Sequence, residues 1–313
     1  MTFLEQRFAL SAHGTTVRTE VLAGVTTFLT MAYIVFVQPA VLSAAGMDFG
    51  AVLVATCLAT ALASTLMAFL ANYPIAVAPA MGHNFFFAYT VVIGMHVPWP
   101  VALGAVAIAG LTFVLTAGVG LREHLITAIP ESLKHAIGAG IGLLIATVGL
   151  EWAGVIVAAP GTLVGLGDLH NRVVLLSLGT LTFTGILVAR RIPGAFLWGI
   201  LASAGAGLAL GVVRYQGVVG TPPSLTPTLF KLDIAGALSA AMLPVILVFF
   251  LLALFDSVGT LVGVGQQAGL MRNGTLPHAR QALLADAIGT VAGATLGTST
   301  VTAYIESGAG VAA

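Results

Sequence analysis

Residues 72–92 read NYPIAVAPAMGHNFFFAYTVV, and residues 297–313 read GTSTVTAYIESGAGVAA. Both are apolar enough for a membrane interior, yet neither reads as one continuous helix. In the first, Pro74 and Pro79 remove backbone donors and clash with a preceding turn, so helix is expected only from Asn84 onward. In the second, β-branched Thr298, Thr300, Val301 and Thr302 favour an extended stretch, followed by a half-helix opening near Ile305 to Ser307. Paired interruptions of this kind point to a transporter built from inverted repeats, with its site near the bilayer midplane.

The remainder of the chain supplies the membrane. Of its 313 residues, 58% are hydrophobic and only 7% charged, with a mean hydropathy of +1.07. A soluble domain carries about 25% charged residues to keep its surface hydrated. The formal net charge of +0 leaves no electrostatic footprint for nucleic acid. One cysteine, Cys57, excludes an internal disulfide and a thiolate cluster. The first twenty residues lack the basic, apolar and cleavage regions of a signal peptide.

Long apolar runs fall at 21–45, 50–71, 99–119, 135–158, 173–190, 194–212 and 242–264, with shorter or broken ones at 75–95, 282–296 and 298–313. None shows the period of two that a membrane barrel requires, so these ten elements are read as helices. With the N-terminus inside, Arg7, Arg18, Arg122, Lys134, Arg190, Arg191, Arg272 and Arg280 lie in inner segments, against Arg172, Arg214 and Lys231 outside. That bias favours a cytoplasmic N-terminus. The broken third and tenth elements are seven apart, which fits a seven-helix repeat whose second copy stops early at Ala313. A chain of this extent is expected not to complete a transport cycle. Uptake of labelled hypoxanthine by cells expressing these residues alone would overturn that expectation. Glycines four apart, Gly259/Gly263, Gly289/Gly293 and Gly293/Gly297, are expected to pack the eighth and ninth helices and bring their acids together.

Those acids are Asp256, Asp286 and Glu306. A charge at the bilayer centre costs at least about 2.5–3.5 kcal/mol, so it needs a task or a partner. Asp256 lies deep in its helix. Glu306 lies where a half-helix begins, and exposed N–H groups there favour an anion. Asp286, in the first turns of the ninth element, suits either a site or a helix end. No lysine or arginine lies within these segments. Such acids suit a ligand rich in N–H donors, or a carried proton, and not an anion. Asn84 presents donors and an acceptor for a planar heterocycle, or serves as an N-cap. Phe85 to Phe87 can stack on an aromatic ring or simply pack. His83 is a proton relay or an ordinary hydrogen-bonded side chain. The stretch Gly165-Leu166-Gly167-Asp168 imitates an intramembrane aspartyl protease, but Asp168 lies in the loop 159–172, away from a second membrane aspartate. An enzyme is not expected.

The stretches GVTTFLTMAYIVFVQP (24–39), APAMGHNFFFAYTVV (78–92), IPESLKHAIGAGIGL (129–143), PTLFKLDI (227–234), LFDSVGTLVGV (254–264), LLADAIGT (283–290) and 297–313 together resemble the AzgA-like purine permeases. These form a branch of the nucleobase–cation symporter superfamily that includes uracil and xanthine permeases. The resemblance implies an all-α membrane protein of two inverted seven-helix repeats. Residues 1–119 and 241–313 would contribute the first-repeat and incomplete second-repeat parts of a core domain, and 120–240 the first-repeat part of a gate domain. It implies proton-coupled import of adenine, guanine or hypoxanthine across the inner membrane, with no cofactor beyond the proton. Substrate contacts would come from Asp256, Glu306, Asn84, Phe85, Thr260 and Ser307. Proton coupling or support of the site would come from Glu306, Asp256, Asp286 and His83. Thr260 occupies a position that is histidine in uracil permeases. The branch more usually reads GMGLNAFF where this chain has AMGHNFFF, so His83 and Phe85 leave substrate preference open. Alternatives are uracil, xanthine or an anion as solute, or a passive channel. The partners are the purine and the lipid bilayer; a homodimer remains one open arrangement.

Overall fold

The structure, a computed structural model, describes residues 3–119, 131–159, 162–192, 194–213, 217, 220–271 and 276–311. The helices are α1 (Phe3–Phe8), α2 (Val17–Met31), α3 (Ile34–Ala44), α4 (Phe49–Ala71), α5 (Met81–Phe85), α6 (Trp99–Val119), α7 (Glu131–Trp152), α8 (Arg172–Ala189), α9 (Ala195–Ala209), α10 (Ile234–Ala237), α11 (Leu243–Gln267), α12 (Ala279–Leu296) and α13 (Ser307–Val311). Short strands are β1 (Val77–Pro79), β2 (Ile156–Ala159), β3 (Leu163–Leu166) and β4 (Val301–Ala303). Among the described residues, five helical stretches are long and apolar enough to cross a membrane: Val17–Ala44, Phe49–Ala71, Trp99–Gly118, Arg172–Ala189 and Ala240–Gln267. The other expected elements are shorter, broken or less apolar.

The chain divides into two compact units, Met1–Pro130 with Pro222–Ala313, and Glu131–Thr221. Residues 222–240, read above as gate, are bonded within the first unit: the Asp233 N–H donates to Pro100 O (2.8 Å) and the Phe230 N–H to Thr295 O (2.9 Å). The boundary expected at 119/120 falls in 120–130, outside the described residues, as do Arg122, Arg214 and Arg272. In the second unit the expected loop 159–172 includes part of a hairpin, with β2 antiparallel to β3. Asp168 follows that hairpin, exposed to solvent, and its Oδ1 accepts from the His170 N–H (2.9 Å). It lies outside the five apolar spans.

Small residues set the packing of the first unit. On α4, Ala51, Ala55, Ala59, Ala63 and Met67 recur every fourth position and are fully buried. This stripe brings backbones close enough for van der Waals attraction to hold helices together in lipid. The helix it faces is α12, enclosed between α4 and α6. A Cβ added to Gly289 would lie 2.7 Å from Ala63 Cβ, and one on Gly110 of α6 would lie 2.9 Å from Thr290 Cγ2. Enclosure by protein explains how α12 can hold an aspartate away from lipid. Gly259 and Gly263 depart from expectation: they face open space on α11. The seam through Gly289 therefore joins α12 to α4, not to α11.

Both interrupted segments are broken as expected. They cross by an antiparallel strand pair, with Val77 opposite Ala303, Ala78 opposite Thr302 and Pro79 opposite Val301. The ladder extends by an Ala80 N–H bond to Thr300 O (2.8 Å) and a Tyr304 N–H bond to Ala76 O (2.9 Å). After β1 the helix opens at Met81, three residues earlier than expected, with Ala80 as N-cap. Phe86–Gly94 then continues as a π-helix, a rare geometry that frequently marks functional segments. The first apolar run is also interrupted, at Ala32 and Tyr33 between α2 and α3.

Candidate functional site

The strand crossing solves one problem and creates another. Two strands pair with each other on one side, but their outer backbone groups need partners where lipid offers none. Each strand receives a hydroxyl from the helix before it. Ser64 of α4 accepts from the Val77 N–H (3.0 Å) and donates to Val77 O (3.1 Å). Thr290 of α12 accepts from the Val301 N–H (3.2 Å) and donates to Val301 O (2.8 Å). The same device thus serves both broken elements.

Around this crossing the acids take separate positions. Asp256 of α11 is 46% exposed, and its Oδ2 accepts from Thr302 Oγ1 on β4 (3.1 Å). Nδ1 of His83 on α5 stands 3.8 Å from the same oxygen, with the imidazole 2% exposed. The Leu252 backbone is its other polar neighbour; neither neighbour meets hydrogen-bond geometry, leaving both ring nitrogens unsatisfied. Glu306, in the turn before α13, accepts from Tyr33 Oη (2.7 Å) at its Oε1. The donor to its carboxylate is therefore a phenol at the α2–α3 break, whereas the sequence pointed to half-helix N–H groups. Tyr304 lies buried within electrostatic reach of Tyr33, Glu306 and Asp256, and its hydroxyl donates to Pro79 O. Thr302 thus ties Asp256 to β4, and Glu306 follows that strand in the chain with Tyr304 between them.

Asp286 is fully buried two turns into α12, and Ser257 of α11 donates its hydroxyl to Asp286 Oδ2. It does not satisfy the helix end, whose N-cap is His278. Instead it joins α12 to α11 beside Asp256. Among the described residues, no lysine or arginine pairs with any of the three acids.

Asn84 is buried and is not an N-cap; its Nδ2 donates to Gln38 of α3, whose Nε2 donates to Thr298 Oγ1 (2.9 Å). Its Oδ1 has no partner. Thr260, one turn after Asp256, is buried on α11. Phe85 stacks on Tyr89, centroids 5.8 Å apart and planes 13° apart, and Phe86 meets Phe249 edge-on at 5.1 Å. Ser307 Oγ accepts from the Ala76 N–H (3.0 Å), so it stitches the crossing. Sequence reading missed Tyr33, Gln38, Thr302 and Tyr304. Gln38 alone carried a signal, as an amide inside an apolar run.

A cavity of about 480 Å³ opens elsewhere in the unit, between α2 and α4, lined mainly by apolar side chains with Glu20, Thr60 and Tyr73 among them. Neither Asp256 nor Glu306 lines it. The polar cluster at the crossing, not this groove, has chemistry to offer a ligand.

Comparison with known proteins places these features. A family model described as a permease family matches residues 18–313. The chain is 48% identical to the adenine permease AdeP of Escherichia coli over 309 residues, covering 98% of this chain and 69% of that one. It is 46% identical to the guanine/hypoxanthine permease PbuG of Bacillus subtilis over 318 residues, covering 98% and 72%. Among solved structures, the transmembrane domain of the cyanobacterial bicarbonate transporter BicA matches with a TM-score of 0.65 at 17% identity, covering 95% of this chain and 76% of that chain. At that identity the likeness concerns the fold alone.

Proposed function

The chain belongs to the xanthine/uracil permease family, and from that premise we propose that it is a proton-coupled purine permease of the inner membrane, with adenine, guanine or hypoxanthine as substrate. One observation carries the reading. Two carboxylates free of lysine and arginine partners among the described residues stand beside β4: Asp256 accepts from Thr302 on that strand, and Glu306, just beyond it in the chain, accepts from Tyr33 at the α2–α3 break. Purines offer several N–H donors in a plane, and carboxylates only accept, so the match is direct. The same pair repels an anion, which disfavours a bicarbonate-like substrate despite the shared fold.

In this reading Asp256 and Glu306 hydrogen-bond the purine. Asn84 contributes its amide, and Phe85, Thr260 and Ser307 shape the surround. A proton neutralises an acid that the ligand leaves charged; Glu306 and Asp256 are the carriers, with His83 as neighbour and Asp286 as support. Matching hydroxyl bonds at Ser64–Val77 and Thr290–Val301 support an inverted repeat, since equivalent positions of two copies would make equivalent bonds.

The test is uptake of labelled purine by cells lacking their own purine permeases and expressing a full-length permease that contains these residues, with external pH recorded alongside. Proton entry that appears only when purine is added is expected. Asp256→Asn and Glu306→Gln should each weaken purine binding by roughly 10–100-fold, the worth of a charged hydrogen bond. Normal purine binding in both variants would sink the site assignment. Proton flux without purine would favour a channel.

A further inference from the structure

Gln38 is fully buried and bonded at both ends of its amide. It stands between Asn84 of the first broken element and Thr298 of the second. A primary amide carries an acceptor at one end and donors at the other, while a hydroxyl both donates and accepts. The relay can therefore run in either sense without losing an internal bond. In one sense Asn84 donates to Gln38, Gln38 donates to Thr298, and Asn84 keeps Oδ1 for a ligand. In the other, the Thr298 O–H donates to Gln38 Oε1, Gln38 Nε2 donates to Asn84 Oδ1, and Asn84 offers its own N–H groups.

The structure holds the first sense: Asn84 Oδ1 is buried and unpartnered. Leaving such an acceptor empty costs about 1–3 kcal/mol, so the position calls for a donor. Adenine and the 6-oxopurines differ in a way that this end can read. Adenine has an amino donor at C6 and an acceptor at N1; hypoxanthine and guanine have an acceptor at O6 and a donor at N1. Moving from one class to the other exchanges donor for acceptor at both atoms, and reversing the relay exchanges them on the protein.

We propose that Gln38 is a positioning residue that sets which end of the Asn84 amide meets the purine, so that one site accepts both adenine and 6-oxopurines. This rests on the reading that the site binds purines through Asn84. It also addresses what identity leaves open, because adenine and guanine/hypoxanthine permeases match this chain about equally, at 48% and 46%.

The test measures adenine and hypoxanthine affinities for the chain in membranes. Gln38→Glu supplies only acceptors while ionised, which fixes Asn84 with Oδ1 toward the ligand. Asn84→Asp presents only acceptors by a separate route. Both variants should shift the adenine-to-hypoxanthine affinity ratio by about tenfold or more, and in the same direction. Thr298→Val removes a partner without fixing the polarity, and should weaken both purines alike. An unchanged ratio in both acidic variants, or shifts of opposite direction, overturns the inference while leaving purine binding intact. Failure of the unsubstituted chain to bind any purine overturns the reading beneath it, before any variant is compared.

Discussion

Ser257 follows Asp256 on α11, yet its hydroxyl turns away to Asp286 on α12. That single bond gives neighbouring acids different work. Asp286 is sealed in protein, where Ser257 supplies the hydrogen bond to its Oδ2 and the Ala303 backbone lies nearby; Asp256 is 46% exposed and can meet a ligand. Ser257→Ala should cost about 1–3 kcal/mol of stability by leaving Asp286 short of a donor, read as a lower melting temperature of the purified protein. Asp256→Asn should keep the melting temperature, within about 0.5 kcal/mol, and lose purine affinity. If the two variants exchange these effects, the division of labour is wrong. The acids themselves were legible in sequence because a carboxylate in an apolar run is conspicuous. Their partners were not: Tyr33 and Thr302 are ordinary in composition, and the Tyr33 bond to Glu306 spans 273 residues of chain.

At the scale of elements, the crossing of β1 and β4 is rigid only if its outer backbone groups are satisfied. Pro74, Pro79 and the β-branched Thr298, Thr300, Val301 and Thr302 announced the breaks, since each disfavours helix by its own sterics. The strand pairing and its register were beyond sequence, because pairing depends on bringing together segments more than 200 residues apart. The helix start was misplaced for a related reason: Ala80 bonds to Thr300, which fixes the chain for a turn at Met81 before any side-chain cap is needed. Ser64→Ala and Thr290→Val each leave a buried backbone N–H and C=O unpaired. Each should cost about 1–3 kcal/mol and lower the melting temperature by a similar amount, as equivalent positions of a repeat would. A loss at one position with none at the other, measured by thermal unfolding in detergent, would contradict the equivalence.

Sidedness belongs to the whole first unit, and its contacts sort consistently with the alternation read from the sequence. At one end, the Asn72 Nδ2 donates to Phe8 O (3.3 Å), Arg7 lies 5.6 Å over the Phe69 ring, and Arg280 donates to Gly118 O. Every residue in that group falls in or beside a segment expected inside. At the other end, Pro223 packs on Gly50, Asp233 bonds to Pro100, and Phe230 bonds to Thr295. Those residues all fall beside segments expected outside. The two ends are thus distinguished by packing, and we propose from the excess of arginine and lysine that the first faces the cytoplasm. With one cysteine in the chain, labelling can read the assignment cleanly. In a Cys57→Ser background, Ser224→Cys should react with a membrane-impermeant thiol reagent on intact cells. Ser11→Cys should react only after the cells are opened, because it lies beside α1 at the opposite end. The reverse pattern would invert the orientation and leave the fold intact, whereas equal labelling of both in intact cells would break the alternation itself.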